Sequence, residues 1–321
     1  MNYFSFILLT FLLFFSCTSN DDSKDEIVYN DFQTENVIIL VVDGPRMTET
    51  WLDRSFINIP NRMILKNEGV VINNFKNLGT TLTMSGHSSI LNGTYENLRN
   101  DGSEIPINPS MLQLWLKESQ ESQEKAWIIT SKVKLRTIAN CVNSTWKDQF
   151  IPATDCGNPI TGRSDRTDVE TIESFKNILS NHQPKLVMIN LREVDTAGHN
   201  NDWNGYINAI KSTDAQIKEV WNFIQSSPIY KNKTALIVTN DHGRHDNNHG
   251  GFQHHGDQCG GCNSIEFLAL GPDFKKNVTI SSGNYEQKDI AKTVGLIMGF
   301  EMPFSDGKVI TDIFTKPVRV Q

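Results

Sequence analysis

An uninterrupted run of aliphatic, mostly β-branched residues at positions 37–42 ends directly in Asp43 and Gly44. A run that is apolar at every position is typical of a strand buried on both faces, as in a parallel sheet. The Asp-Gly pair that ends it predicts a functional loop at the carboxyl edge of that sheet. Shorter apolar runs indicate further strands at 126–130, 185–191, 234–240 and 265–270.

Helical patterns lie between these strands, at 109–119, 168–182, 204–226 and 287–298. Strands that alternate with helices predict an α/β fold, a doubly wound and mostly parallel sheet with helices on both faces. We expect one domain over residues 35–321, because 321 residues suit one large α/β domain and no internal repeat or proline-rich hinge interrupts the pattern.

The first sixteen residues are predicted to be a lipoprotein signal peptide. Residues 6–15 are nearly all hydrophobic, too few to span a bilayer, and Ser16 and Cys17 follow them. This segment resembles a bacterial lipobox, which implies that Cys17 is lipidated and that 17–34 form an acidic linker. We expect an exported protein, a periplasmic or cell-surface lipoprotein of a Gram-negative bacterium, held to the membrane only by this lipid. A secretory peptide cleaved elsewhere is the alternative.

Cysteine count and net charge narrow the possibilities further. With Cys17 set aside an even number remains, which in an exported chain favours two disulfides, Cys141–Cys156 and Cys259–Cys262. The Cys259-Gly-Gly-Cys262 segment could instead bind a metal ion or be a redox pair, although a lone pair of this kind is a weak zinc signal. The 30 basic and 37 acidic side chains give a net charge of −7, which argues against binding to a nucleic-acid duplex.

Acids and histidines collect where the predicted strands end. Asp195 and His199 follow the strand at 185–191, Asp241 and His242 follow the strand at 234–240, and five of the eight histidines lie between positions 242 and 255. Carboxylate oxygens with imidazole nitrogens suit Zn²⁺ or Mn²⁺, and there are enough of them for two ions. Paired metal ions serve phosphoryl transfer, so this pattern predicts a two-metal site.

A hydroxyl-rich segment at 79–93 runs into a short apolar helix. A threonine or serine is therefore expected at a helix N-terminus, where backbone N–H groups and the helix dipole favour a phosphate-like anion. A simple helix cap is the alternative interpretation of this segment.

Taken in order, these motifs resemble the alkaline phosphatase superfamily over residues 36–310, with its phosphodiesterase/nucleotide pyrophosphatase and phosphonoacetate hydrolase branches closest. The order is Asp-Gly, Thr-x-x-x-His, Asp-x-x-x-His, Asp-His-Gly and His-Gly. The resemblance implies a nucleophilic Thr83, four residues before His87. It implies one metal ion on Asp43, Thr83, Asp241 and His242, and a second on Asp195, His199 and His255. For the last ligand, His249 is the runner-up, and His245 and His254 also stay open. Ser85-Gly86 departs from the diesterase branch, which has Pro-Asn there.

Two further elements bear on the substrate. Asn100 is similar to an asparagine that donates to a phosphoryl oxygen in relatives. The stretch that holds Lys132, Lys134 and Arg136 resembles one in phosphonoacetate hydrolases, and cations there would bind a terminal phosphate or carboxylate. Solvated charges at a helix start are the alternative.

The function expected from the sequence is that of a phosphohydrolase with two divalent ions, Zn²⁺ or, as an alternative, Mn²⁺. It would cleave phosphate mono- or diesters of a small substrate through a phosphothreonine on Thr83. A phosphonate C–P hydrolase, a sulfatase-like hydrolase of the same fold and a non-catalytic surface binding protein with a vestigial metal site are the alternatives. The sulfatase ranks low because no Cys/Ser-x-Pro-x-Arg motif follows Asp43.

Overall fold

The computed structural model describes residues 31–158 and 160–318. The predicted signal peptide, Cys17 and most of the linker at 17–34 lie outside this part of the chain. Its strands are β1 (Asn36–Val42), β2 (Gly69–Ile72), β3 (Ala126–Thr130), β4 (Ala153–Cys156), β5 (Leu186–Leu191), β6 (Thr234–Asn240), β7 (Phe267–Leu270) and β8 (Val278–Ile280). Its α-helices are α1 (Pro60–Leu65), α2 (Thr83–Asn92), α3 (Met111–Ser119), α4 (Asp168–His182), α5 (Glu193–His199), α6 (Trp203–Ser226), α7 (Gly260–Asn263) and α8 (Asp289–Met298). Within the described ranges, no helix is long and apolar enough to cross a membrane.

The strands form one sheet in the order β4-β3-β5-β1-β6-β7-β2-β8. β4, β3, β5, β1 and β6 are parallel, whereas β7 runs antiparallel to both of its neighbours. The predicted mostly parallel α/β sheet is therefore confirmed. The short strands β2, β4 and β8 were not predicted, because three or four residues are too few to establish a hydrophobic period.

Alternate residues of β1 enter two separate cores, one on each face of the sheet. Val37, Ile39 and Val41 pack with buried side chains of α2, α3 and α8. Ile38 and Leu40 pack on the other face with side chains of α4 and α6. Every β1 side chain is buried, which explains why the sequence there is apolar without alternation.

A buried ion network joins α1, α6 and the start of β7. The Arg62 guanidinium donates to Asp214 at 3.0 Å and to Glu266 at 2.6 Å, and all three side chains are at most 1% exposed. Trp51 Nε1 also donates to Glu266. The bonded partners in this network are 152 to 215 residues apart along the chain, and nothing in the local sequence pattern links them.

Arg62→Met should lower the free energy of unfolding by roughly 3–5 kcal/mol, because it leaves the buried carboxylates of Asp214 and Glu266 without their cation. Chemical denaturation checks this. The matched control is Arg99→Met, which breaks an Arg99–Glu104 pair whose side chains are 71% and 43% exposed. Its loss should be below about 1 kcal/mol. Equal losses in the two variants would contradict a structural role for the buried network.

Candidate active site and metal centre

The carboxyl ends of β1 and β6 bring two acids side by side. Val42 pairs with Asn240 in the parallel register, so Asp43 and Asp241, the next residue on each strand, are neighbours at the sheet edge. Both carboxylates are fully buried, as is His242. The His242 Nε2 atom lies 3.6 Å from Asp43 Oδ1 and 3.4 Å from Asp241 Oδ2.

Asp43 Oδ1, Asp241 Oδ2 and His242 Nε2, which we call the acceptor triad, face one another with no hydrogen-bond donor between them in the described part of the chain. His242 Nδ1 lies 2.9 Å from the Gly243 carbonyl, which can only accept, so Nδ1 carries the proton and Nε2 a lone pair. Within the described part of the chain, Asp43 Oδ1, Asp241 Oδ2 and His242 Nε2 have no hydrogen-bond partner. Buried acceptors in such a group are unfavourable unless a cation joins them. Two carboxylates and a neutral imidazole therefore fit a divalent metal ion such as Zn²⁺ or Mn²⁺.

A second group lies at the end of β5, where Asp195 occupies the first turn of α5. Asp195 Oδ1 lies 3.3 Å from His199 Nε2 and 3.5 Å from His255 Nε2. His255 Nδ1 is 2.8 Å from the Thr81 carbonyl, which again leaves Nε2 with the lone pair. The His255 ring stacks on His242 with the ring centres 3.8 Å apart, so the two groups adjoin.

The histidines that the sequence left as alternatives form a cluster of their own. His245 and His249 both lie beside Asp257, at 3.2 and 2.6 Å, and the His254 ring is next to His245. Of the four, His255 is thus the one that the structure brings to Asp195.

Two cations enter the site from β3 and from the loop after β6. Lys132 Nζ lies 2.8 Å from Asp43 Oδ2, 2.7 Å from Asp195 Oδ2 and 3.2 Å from Thr83 Oγ1. Arg244 is fully buried and donates to Asp195 Oδ1. Sequence reasoning grouped Lys132 with substrate-binding cations and missed Arg244, although Arg244 directly follows the Asp-His-Gly motif.

These contacts divide the charges unequally. Burial, followed by the charge of Asp241, raises the pKa of Asp43 well above its usual range. Burial would raise the pKa of Asp195 too, but Lys132 and Arg244 are among the neighbours that lower it well below the usual range. The Asp195 carboxylate therefore contacts two protein cations, whereas Asp43 contacts only one of them, Lys132, among the described residues and its Oδ1 is left without a hydrogen-bond partner.

Thr83 is the first residue of α2, whose close approach to β6 depends on a glycine. A Cβ at position 86 would lie 2.5 Å from the Asp241 carbonyl oxygen, so Gly86 lets the helix reach the strand end. The His87 side chain lies between the helix and the sheet, where its Nδ1 donates to the Thr83 carbonyl at 2.8 Å and its Nε2 accepts from the Asn190 amide at 3.0 Å. These contacts hold Thr83 next to both acidic groups.

Asn100 and Lys134 adjoin the start of α2, but Arg136 does not. Asn100 Oδ1 accepts from the Met84 backbone N–H at 3.0 Å and from Lys134 Nζ at 3.1 Å, which directs its NH₂ group away from both. Burial, and then the charge of Lys132, lowers the pKa of Lys134. Arg136 instead donates to the Cys156 carbonyl at 3.1 Å. Both residues lie in the 3-10 helix Val133–Ala139. Because such a helix has three residues per turn, positions 134 and 136 lie on different sides of it.

The two predicted disulfides are absent, since Cys141, Cys156, Cys259 and Cys262 are all free thiols in the described chain. Cys156 Sγ donates to the Ile128 carbonyl at 3.6 Å, while Cys141 lies near Gln113, so these two thiols have different neighbours. Proximity in sequence does not set the direction of the Cβ atoms, and the pairing of Cys141 with Cys156 was wrong for this reason.

Comparison with known proteins agrees with this site. The chain belongs to the metalloenzyme superfamily, whose family model matches residues 37–302. Its structural neighbours include an ectonucleotide pyrophosphatase/phosphodiesterase and a phosphonate monoester hydrolase, and they agree with the alkaline-phosphatase-like fold that the motifs predicted. No curated protein matches by sequence.

Three solved structures illustrate the likeness. Murine ectonucleotide pyrophosphatase/phosphodiesterase 5 is 14% identical with a TM-score of 0.63, over 87% of this chain and 100% of that one. The phosphonate monoester hydrolase SpPMH from Silicibacter pomeroyi is 12% identical with a TM-score of 0.60, over 89% of this chain and 78% of that one. BT1596, a 2-O GAG sulfatase, is 14% identical with a TM-score of 0.63, over 89% and 76%. At these identities the likeness is one of fold.

Asp43→Asn should weaken the binding of Zn²⁺ by more than about 100-fold, the upper end of what loss of an outer hydrogen bond to a metal ligand costs. The reason is that the substitution removes a charged ligand atom from the acceptor triad. Competition with a chromophoric chelator measures the affinity. Asp53→Asn is the control, because among the described residues the Asp53 side chain bonds only to Ser55, in an exposed turn. Equal affinities in Asp43→Asn and the wild-type protein would rule out the triad as a metal site.

Proposed function

We propose that this protein is a two-metal phosphohydrolase that cleaves phosphate mono- or diesters through a phosphothreonine on Thr83. The observation that carries the proposal is the position of Lys132 Nζ. This one atom contacts the Thr83 hydroxyl and one carboxylate from each acidic group, Asp43 and Asp195. A hydroxyl nucleophile and two sets of metal-ligand side chains therefore meet within a few ångströms.

The acceptor triad with Thr83 would hold one divalent ion, and Asp195, His199 and His255 would hold the other. Bound ions, Zn²⁺ or alternatively Mn²⁺, supply positive charge for the phosphoryl oxygens and for the leaving oxygen. The ligand set supports this assignment, because both His242 and His255 present a deprotonated Nε2. Burial lowers the pKa of both histidines, which keeps them neutral.

The chain's own residues account for the covalent step. The Thr83 oxygen would attack phosphorus in line, forming a threonine phosphate ester as the bond to the leaving oxygen breaks. Lys132, whose Nζ lies 3.2 Å from Thr83 Oγ1, stabilises negative charge on Oγ1 as the hydroxyl proton passes to solvent, and the departing oxygen takes up a proton from water. Water then attacks the same phosphorus, the bond to Thr83 breaks, and phosphate or a phosphomonoester is released.

Asn100 and Lys134 are suited to hold the phosphoryl group. The Asn100 oxygen is already engaged, so its NH₂ group is left as a donor. The N-terminus of α2 adds the positive potential of the helix dipole, which has the same sign as the charge of Lys134 and favours an anion. Arg136 has no part in this proposal, since it is bonded to the end of β4.

Relatives support a threonine nucleophile. An inactive form of the murine protein is described with a threonine-to-alanine substitution and with bound AMP. The neighbours also include sulfatases and a phosphonate monoester hydrolase, so these reactions are the rival assignments. A phosphonate substrate is favoured by one observation, the pair of cations Lys132 and Lys134 next to Thr83 and Asn100.

We propose further that the enzyme acts outside the cytoplasm as a lipoprotein attached through Cys17. The support is the sequence of the first 34 residues, an apolar stretch that ends in Ser16-Cys17 and an acidic linker. The substrate would then be a small phosphorylated compound met at the cell surface or in the periplasm.

Thr83→Ala should lower the turnover rate with p-nitrophenyl phosphate and with its bis-ester by at least about 1,000-fold, because the covalent step loses its nucleophile. Initial rates across these two compounds, a nucleotide, phosphonoacetate and p-nitrophenyl sulfate also identify the substrate class. Thr80→Ala is the matched control, since it removes a hydroxyl three residues away that contacts only Asn97. Full activity in Thr83→Ala, or activity confined to the sulfate ester, would refute the proposal.

A further inference from the structure

A third group of metal-ligand side chains lies in the loop between β6 and β7, apart from the acceptor triad and the group around Asp195. It consists of His245, Asp257, Cys259 and Cys262, with one ligand atom of each within 4.8 Å of all the others. None of these four belongs to the acceptor triad or to the Asp195 group. We call these residues the loop cluster.

The His245 side chain in the loop cluster has no hydrogen-bond partner among the described residues. Both of its ring nitrogens are screened from solvent and unpaired, and the side chain is only 14% exposed. Its Nε2 lies 3.2 Å from Asp257 Oδ2, in a geometry that makes no hydrogen bond. A buried imidazole with both nitrogens unpaired is costly, and a bound cation would satisfy one of them.

The two cysteines are arranged as ligands of one ion. Cys259 is the N-cap of the short helix α7 and Cys262 lies within that helix. The Cys262 backbone N–H donates to Cys259 Sγ at 3.3 Å, a contact that stabilises a thiolate. Gly261 makes the approach to His245 possible, because a Cβ there would lie 2.3 Å from the Arg244 carbonyl oxygen. Asp257 is oriented in turn, since its Oδ1 accepts from the Cys259 N–H at 3.1 Å and its Oδ2 lies 2.6 Å from His249 Nε2.

The donor set and its size favour zinc. Zn–S bonds of about 2.3 Å and Zn–N or Zn–O bonds of about 2.0 Å place tetrahedral ligand atoms about 3.3–3.8 Å apart. Atoms within 4.8 Å of one another would close to that size through small side-chain movements. Two thiolates, an imidazole and a carboxylate leave no position for substrate, as is typical of structural zinc sites.

We propose that the loop cluster binds one structural Zn²⁺ ion that fixes the loop supplying ligands to the active site. The same loop carries His242 and Arg244 before the cluster and His255 inside it. The first and last parts of this loop already contact each other, because the His245 backbone N–H donates to the His254 carbonyl at 2.9 Å. An ion bound to both His245 and Cys262 would link these two parts of the loop a second time. The His242–His255 stack, shared by both acidic groups, would then be held in place from outside the active site.

Replacing zinc by Co²⁺ in the full chain tests this proposal, because thiolate-to-cobalt charge transfer gives a near-ultraviolet band that carboxylate and imidazole ligands do not give. The band should appear in the wild-type protein and in Asp43→Asn, and should be absent in the double variant Cys259→Ser/Cys262→Ser. Zinc analysis after dialysis should find at least one equivalent per chain less in that double variant. The matched control is Cys141→Ser/Cys156→Ser, which should keep both the band and the zinc content.

Three results would overturn the proposal. They are no charge-transfer band in the wild-type protein, a band that persists without Cys259 and Cys262, or a Cys259–Cys262 disulfide found by alkylation and mass spectrometry. The band does not depend on turnover, so its loss is distinguishable from failure of the phosphohydrolase assignment. Asp43→Asn separates the two sites, because it affects the acceptor triad and leaves the loop cluster intact.

Discussion

Like charge gathered at the carboxyl edge of a parallel sheet is the constraint on which the site depends. The register of β1 with β6 places Asp43 next to Asp241, both fully buried, and β5 directs Asp195 to the same edge. Carboxylates in such a position need cations, since an unpaired buried charge costs several kcal/mol. The fold therefore buries negative charges that need cations nearby, and its own side chains supply only some of that positive charge.

Protein cations neutralise the buried carboxylates to different extents, and the atoms that they leave unpaired are the candidate ligands for a metal ion. Lys132 bridges Asp43 and Asp195 through their Oδ2 atoms, and Arg244 binds Asp195 through Oδ1. Asp43 Oδ1 lies 3.6 Å from His242 Nε2, and neither atom has a hydrogen-bond partner among the described residues. The ammonium group of Lys132 that contacts Asp43 and Asp195 also contacts the hydroxyl of Thr83, the proposed nucleophile.

Sequence reasoning could predict the central strands and the acids at their ends, because β1, β3, β5 and β6 are continuous apolar runs that end in polar residues. It could not predict contacts that depend on partners far apart in sequence. The pairing of Lys132 with Asp43, the burial of Arg244 and the Arg62 network are all of this kind. The cysteines show the same limit, since Cys259 and Cys262 acquire His245 and Asp257 as neighbours only in the folded loop.

The central claim is that a divalent ion belongs between the three atoms of the acceptor triad. The most direct measurement is a crystal structure of the zinc-loaded protein with anomalous data collected on both sides of the zinc absorption edge. The account predicts an anomalous peak bounded by Asp43 Oδ1, Asp241 Oδ2 and His242 Nε2, at ligand distances of about 2.0–2.2 Å. A triad bridged instead by water or by Lys132, with no anomalous signal at that position, would contradict it.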